Sequence, residues 1–377
     1  MACIVILLFV FPNQCIVFAA ENKMPFDVDA SSAVLMDAGT GEILYAKNED
    51  EALPPASVTK IMTLLLIMEE IDNGRMTWTE QITVSDYAAS MGGSQVYLEP
   101  GEQMSAEDLL KSIVVSSAND AAVTMAERIS GSEEAFVAKM NERAAELGME
   151  HTRFENATGL DDDTVHHLTS AKDIAIMSRE LLKHDQILNY TTIWMDTIRD
   201  GAFGLSNTNR LIRFYNGATG LKTGSTSKAK FCISATAQRE NMHLIAVIMG
   251  SPTRDIRNEE ARKLLDWGFA NYTVYDNPTA ELDGIHVYGG VSEQCRGVYE
   301  AFSCVTKKGT EKEITYEVLI PEEIPAPVRK GDVIGQVIYR RGEEIIGQCD
   351  ITAIDDIAKL SFGTLFLRML KTALLPF

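Results

Sequence analysis

Ser57-Val58-Thr59-Lys60 runs directly into Ile61, Met62, Leu64, Leu65 and Met68, an apolar series at helical spacing that Asn73-Gly74 brings to a stop. Pro54-Pro55 sits just upstream, where a helix has not yet begun, so Ser57 is predicted at or near the helix N-terminus. Residues three apart on a helix share a face, which puts the Ser57 hydroxyl and the Lys60 amine within reach of each other. Unpaired backbone N–H groups at such a helix end favour negative charge.

A serine hydroxyl is a poor nucleophile at its own pKa and needs a neighbouring base; a lysine serves only where its surroundings lower its pKa. One Ser-x-x-Lys pair is weak evidence, because a chain of this length contains on the order of one by chance. Ser225 with Lys228 and Ser227 with Lys230 have the same spacing. They run into the alternating stretch Lys230 to Ala237, where residues three apart point to opposite faces of a strand. Two further motifs distinguish the first pair: Ser117-Ala118-Asn119 and Lys222-Thr223-Gly224, each occurring once, with room for a helical region between them. Taken singly, Ser57 reads as a helix cap, Ser117 and Asn119 as turn or cap residues, and Lys222 as a solvated strand lysine. Their joint presence in this order predicts an acyl-transfer site that uses no histidine.

These three motifs resemble the penicillin-binding D-alanyl-D-alanine carboxypeptidases, which share their site with the serine β-lactamases. The resemblance extends over Ala33 to Asn48, Gly93 to Asp120, Asn156 to Asp173 and Gly220 through Trp267-Gly268-Phe269. It implies a β-lactamase/transpeptidase-like α/β catalytic domain, an antiparallel sheet flanked by helices. By the same resemblance Ser57 is the acylated nucleophile, Lys60 its base, and Ser117 the relay to the leaving amine. Asn119 holds the substrate amide, Lys222 and Thr223 meet its terminal carboxylate, and Gly224 lets substrate backbone lie against the strand. The backbone N–H groups of Ser57 and Ser225 form the oxyanion hole. The implied partners are peptidoglycan stem peptides ending in D-alanine and β-lactam antibiotics, with no cofactor. Ala118 stands where the family commonly has glycine, a departure that bears on turnover. Asn156-Ala157-Thr158-Gly159-Leu160 receives no catalytic role.

The net charge of -20 argues against nucleic acid as a partner. Residues 1–20 have an apolar core followed by Val17-Phe18-Ala19-Ala20, the pattern of a secretory signal peptide without the usual positive start. Cleavage there leaves Cys232, Cys295, Cys304 and Cys349, which have no metal-ligand spacing; Cys295 and Cys304 either pair across a hairpin or remain thiols. Asp161-Asp162-Asp163 lacks the spaced loop of a calcium site and reads as a solvated turn. His166-His167 is not placed like a metalloprotease pair, and the chain has no His-Glu-x-x-His run.

Residues 27–273 read as one mixed domain: a hairpin turning at Gly39-Thr40-Gly41, a helical middle, and strands over Leu221 to Thr226, Ala229 to Gln238 and His243 to Gly250 before a helix from Arg254 to Phe269. Residues 274–354 switch to short alternating runs such as Ile314 to Ile320, a small all-β domain. Residues 357–377 place Ser361, Thr364, Arg368, Lys371 and Thr372 on one helical face and Leu360, Phe362, Phe366, Leu367, Met369, Leu370, Ala373 and Leu374 around the rest. That amphipathic helix is too short for an ordinary membrane span and suits an anchor on a membrane surface, the alternative being a helix docked on its own domain. A DD-endopeptidase or a β-lactamase uses the same motifs, as does a sensor that is acylated without turning over. The β domain and terminal helix favour the carboxypeptidase, and no glutamate matches the deacylating residue of the class A β-lactamases.

Overall fold

The computed structural model describes residues 27–161 and 164–374; residues 1–20, expected to be a signal peptide, and Asp162 and Asp163 fall outside them. The chain divides into two compact units, one over 27–272 and the other over 273–374.

The first unit is organised on a five-stranded antiparallel sheet. Its hairpin joins β1 (Ser32–Asp37) to β2 (Ile43–Lys47). The turn is fixed by Asp37, whose Oδ1 accepts from Thr40 N at 2.8 Å and from Thr40 Oγ1 at 2.9 Å. Helix α1 (Lys60–Asp72) follows, then α2 (Ala106–Ser116), α3 (Asn119–Ser130), α4 (Glu133–Glu146) and α5 (Ala171–Leu181). Strands β3 (Ala218–Thr226), β4 (Lys230–Arg239) and β5 (Met242–Ser251) return to the sheet in the order β2-β1-β5-β4-β3, and α6 (Arg254–Asn271) closes the unit.

Strand alternation sends residues to two faces. Val34, Met36, Ile245, Val247 and Met249 join the core that contains α1, whereas Leu35 and Leu244 turn the other way and meet Gly268 of α6. Sequence periodicity predicts a stripe on α1; instead ten of its residues, Lys60 through Met68 and Glu70, are buried. A helix apolar all round belongs in the middle of a core, and α3, α4 and α5 surround this one. Polar caps start its neighbours: Ser105 Oγ accepts from Asp108 N, Ser132 Oγ from Ala135 N and Ser170 Oγ from Asp173 N.

The second unit is a six-stranded sheet formed by β6 (Ala280–Tyr288), β7 (Gln294–Tyr299), β8 (Ile314–Leu319), β9 (Ile324–Pro325), β10 (Val333–Arg341) and β11 (Glu344–Ala353), in the order β8-β10-β11-β7-β6-β9. Its core gathers Val337, Tyr339, Ile351 and Phe302. No disulfide links Cys295 to Cys304: the strand carrying Cys304 pairs with residues 272–277, not with β7.

Helix α7 (Phe362–Leu374) begins at Ser361, whose Oγ accepts from Thr364 N at 3.2 Å. Among its described side chains, Phe362, Phe366, Leu367 and Met369 stand in solvent, Phe362 83% and Leu367 68% exposed. Thirteen residues reach about 20 Å, less than the ~30 Å hydrocarbon layer, and among the described residues no helix is long and apolar enough to cross a membrane.

Candidate active site

Ser57 lies on a 3-10 turn, Ala56–Thr59, that runs straight into α1. Ala56 has φ 50°, a conformation rarely taken by a residue with a Cβ, and Ser57 itself is half-buried. Gly224 of β3 packs on this turn: a Cβ there would stand 2.8 Å from both Pro55 O and Ser57 N. The glycine is therefore demanded by the chain's own packing, before any substrate arrives.

Lys60 is fully buried, and its Nζ is 3.1 Å from Ser57 Oγ, 2.6 Å from Asn119 Oδ1 and 2.7 Å from Thr158 O. Burial pushes its pKa well below the ordinary lysine value, the charge of Lys222 adds to that, and Asp120 opposes it. As a neutral amine it donates two N–H bonds to the two carbonyl oxygens, which leaves its lone pair for the Ser57 hydroxyl proton.

The second motif occupies the junction of α2 and α3. Ser117, φ 63°, ends α2 in the left-handed region, and Asn119 opens α3. Ala118 sits between them at φ -59° and ψ 123°, open to any L-residue, so the alanine is accommodated without strain. Asn119 Nδ2 donates to Gly92 O at 2.7 Å, so the amide is held between Lys60 and the 91–98 loop. The buried carboxylate of Asp120 fixes that loop, accepting from Val96 N and Leu98 N at 3.1 and 3.0 Å.

Lys222 of β3 donates to Ser117 Oγ at 2.8 Å and to Thr223 O at 3.0 Å. Burial, with the Arg257 guanidinium second, pulls its pKa down to about 7. Thr223 Oγ1 donates to Thr208 Oγ1 at 2.7 Å, and Ser225, the next residue after Gly224, is exposed. The residues singled out in the sequence thus fall into two hydrogen-bonded groups, Ser57–Lys60–Asn119 and Ser117–Lys222–Thr223, with Gly224 packed on the Ser57 turn and Ser225 adjoining it. Of the pairs rejected there, Lys228 is engaged elsewhere, its Nζ donating to Asp161 O.

Sequence reasoning missed the segment 156–161. Thr158 supplies a carbonyl to Lys60, and Gly159, φ +82°, lies so close to the turn that a Cβ would fall 1.8 Å from Ala56 O. Asp161, expected in a solvated turn, is 4% exposed, with Oδ2 accepting from Thr226 Oγ1 at 2.5 Å. His167 is buried and neutral, its pKa pushed down to about 4 by desolvation. Its Nδ1 accepts from Glu155 N at 2.9 Å, which assigns the proton to Nε2, and Nε2 donates to Thr59 Oγ1 at 2.7 Å. The signals within reach were the glycines: Gly93 and Gly159 both have positive φ beside the site.

A half-buried serine against a buried, deprotonatable amine, on an antiparallel sheet flanked by helices, defines the active-serine, penicillin-interacting class of enzymes. The family model described as D-alanyl-D-alanine carboxypeptidase (peptidase S11) matches residues 17–253, and that for the penicillin-binding protein 5 C-terminal domain matches 286–359. The D-alanyl-D-alanine carboxypeptidase DacF of Bacillus subtilis is 43% identical over 90% of this chain and 89% of its own length. The crystal structure of penicillin-binding protein 5 from Haemophilus influenzae superposes with a TM-score of 0.79 at 31% identity, covering 90% of this chain and 100% of that one. Penicillin-binding protein D2 of Listeria monocytogenes in its ampicillin-bound form is 32% identical, with a TM-score of 0.58 over 66% of this chain and 100% of that one. The chain belongs to the D-alanyl-D-alanine carboxypeptidase family of serine peptidases.

Proposed function

We propose that the protein removes the terminal D-alanine from peptidoglycan stem pentapeptides through an ester on Ser57. Lys60 takes the hydroxyl proton as Ser57 Oγ attacks the carbonyl before the last residue. The N–H groups of Ser57 and Ser225 receive the oxyanion. Ser117 passes a proton to the departing D-alanine amine, and water then hydrolyses the ester. Asn119 aligns the substrate amide. Lys222, poised near neutrality when the site is empty, gains its full charge as the substrate carboxylate arrives and, with Thr223, selects peptides with a free C-terminus. β-Lactams enter the same site, and their opened ring remains esterified to Ser57.

The observation that carries this reading is the Lys60 amine, buried, held by two carbonyl oxygens and 3.1 Å from Ser57 Oγ. The test is incubation with a synthetic muropeptide ending in D-alanyl-D-alanine, with products identified by mass. Repeated release of one D-alanine per peptide is expected from the native chain and none from Ser57→Ala, which also acquires no penicilloyl mass. An adduct that forms once without turnover would make the protein a sensor instead.

The site faces a substrate that lies outside the cytoplasmic membrane, which fits residues 1–20 as a secretory signal. The exposed apolar side chains of α7 fit a helix lying in the membrane surface. Truncation before Ile357 is expected to leave activity on a small peptide intact and to abolish sedimentation with anionic vesicles; unchanged sedimentation would remove the anchor.

A further inference from the structure

Residues 158–161 touch both halves of the site. At one end, Thr158 O accepts from the Lys60 amine and Gly159 lies flat against Ala56, the residue before the nucleophile. Two residues on, the carboxylate of Asp161 accepts from Thr226 Oγ1, and its backbone oxygen accepts from Lys228 Nζ. Thr226 directly follows Ser225 at the end of β3. Its hydroxyl has a fixed direction, because Oγ1 also accepts from Ala229 N at 2.9 Å and so must give its proton to the carboxylate.

A hydrogen bond to a carboxylate is shorter and roughly twice as strong as one between neutral groups, and this one lies at a largely buried oxygen. It joins two segments 65 residues apart. One of them holds the amine that must accept the serine proton; the other carries the backbone N–H at which the oxyanion develops. A turn that merely capped itself would bond within its own few residues. This carboxylate instead reaches across to the strand of the third motif.

Building on the function proposed above, we propose that Asp161, Thr226 and Lys228 form a latch that makes the Lys60-holding segment and the Ser225 strand end one rigid unit, and that this latch sets the acylation rate of Ser57. The three are positioning residues, none of which touches the reacting atoms. Small displacements matter at such a site: misplacement by about 1 Å costs roughly a hundredfold in rate. Opening the latch also lets water reach the Lys60 amine, whose depressed pKa depends first on burial. The charged and titratable groups that face that amine are Lys222 on β3, Asp120 on α3 and His167 on the segment before α5. A change at Thr226 replaces none of them and reaches His167 only through the Asp161 carboxylate, so a midpoint that shifts together with the acylation rate reports hydration of the amine.

The experiment measures the rate constant for acylation by a fluorescent penicillin against pH, on the full chain, for the native protein, Thr226→Val and Thr226→Ser. Thr226→Val keeps the side-chain shape and removes the hydroxyl. It is expected to slow acylation roughly tenfold to a hundredfold and to move the acid limb of the profile to higher pH. Thr226→Ser, which keeps the donor, is expected to restore both, and D-alanine release follows the same order. A Thr226→Val chain with the native rate constant and midpoint overturns the latch. So does one that loses only the fraction of chains able to react, which marks a purely structural tie. A native chain that forms no adduct removes the functional reading, and the latch with it.

Discussion

The two units of this protein treat charge in opposite ways. The first buries Asp37, Lys60, Glu70, Asp120, Asp161, Asp173, Lys222, Arg257 and Glu260; among the described residues the second buries no lysine, arginine, aspartate or glutamate. Removing a charge from water opposes folding unless partners compensate, so a unit that only had to be stable would resemble the second. At Lys60 that cost appears as a pKa held well below the ordinary lysine value, first of all by burial, which is what the base proposed for Ser57 requires. The first unit's apolar helix α1, buried on every side, offsets that cost, and Lys60, the base proposed above, is the first residue of that helix.

Lys60→Met sharpens this contrast most. Methionine follows the lysine stem and deletes the amine, so penicillin acylation and D-alanine release are expected to fall by about a thousandfold or more, within the usual range of general-base catalysis. Stability should move little. Desolvation of the amine is relieved, while Asn119 Oδ1 and Thr158 O lose a donor at about 1–3 kcal/mol each. Denaturant titration is expected to show a net change of about 2 kcal/mol or less. Activity within tenfold of native in this variant would break the contrast at its centre.

How much of this was legible in the sequence depends on what kind of atom does the work. The hairpin, α1, the last three strands of the first sheet and α6 announce themselves through period and turn chemistry. Ser57 and Lys60 could be put on one face because spacing alone does that. Thr158 could not be found, since it acts through a backbone oxygen that every residue possesses. Asp161 was misread because three consecutive aspartates look solvated, and its burial is decided by Thr226 and Lys228, 65 and 67 residues away. The all-round burial of α1 was hidden for the same reason: the helices that cover it are remote in sequence. Gly224 invites a substrate-facing explanation, yet its first obligation is to Pro55 and Ser57.

Glu70 offers a test by pH. The Arg75 guanidinium, with Nε and Nη2 at 2.8 and 2.9 Å, holds its carboxyl down at about 2, and Lys139 at 2.9 Å adds to this. A carboxyl whose folded pKa lies below its ordinary 4.5 contributes stability above that value and loses it as pH falls toward 2. Native protein is therefore expected to exceed Glu70→Gln by about 1–2 kcal/mol at neutral pH, the exposed partners screening the rest. The difference should vanish near pH 2, as read by urea titration at a series of pH values. A gap independent of pH would mean that packing, not ionisation, is what Glu70 supplies.

Tyr339 is the counterpart in the second unit, and it should respond to none of this. Its ring stacks on Phe302 with centroids 4.0 Å apart, and its hydroxyl accepts from Asn277 Nδ2 at 2.7 Å. Burial first of all pushes the phenol up to about 12, so it stays neutral over the whole range in which Glu70 titrates. Tyr339→Phe keeps the stacked ring and removes one neutral hydrogen bond, which is expected to cost about 1 kcal/mol. Calorimetry at pH 4 and pH 7 should give the same small loss, and the penicillin acylation rate should stay within about twofold of native, as for independent, separated sites. A loss that grew with acid, or a slowed acylation, would show that the division between a charge-burying unit and a neutral one is not how this molecule partitions its work.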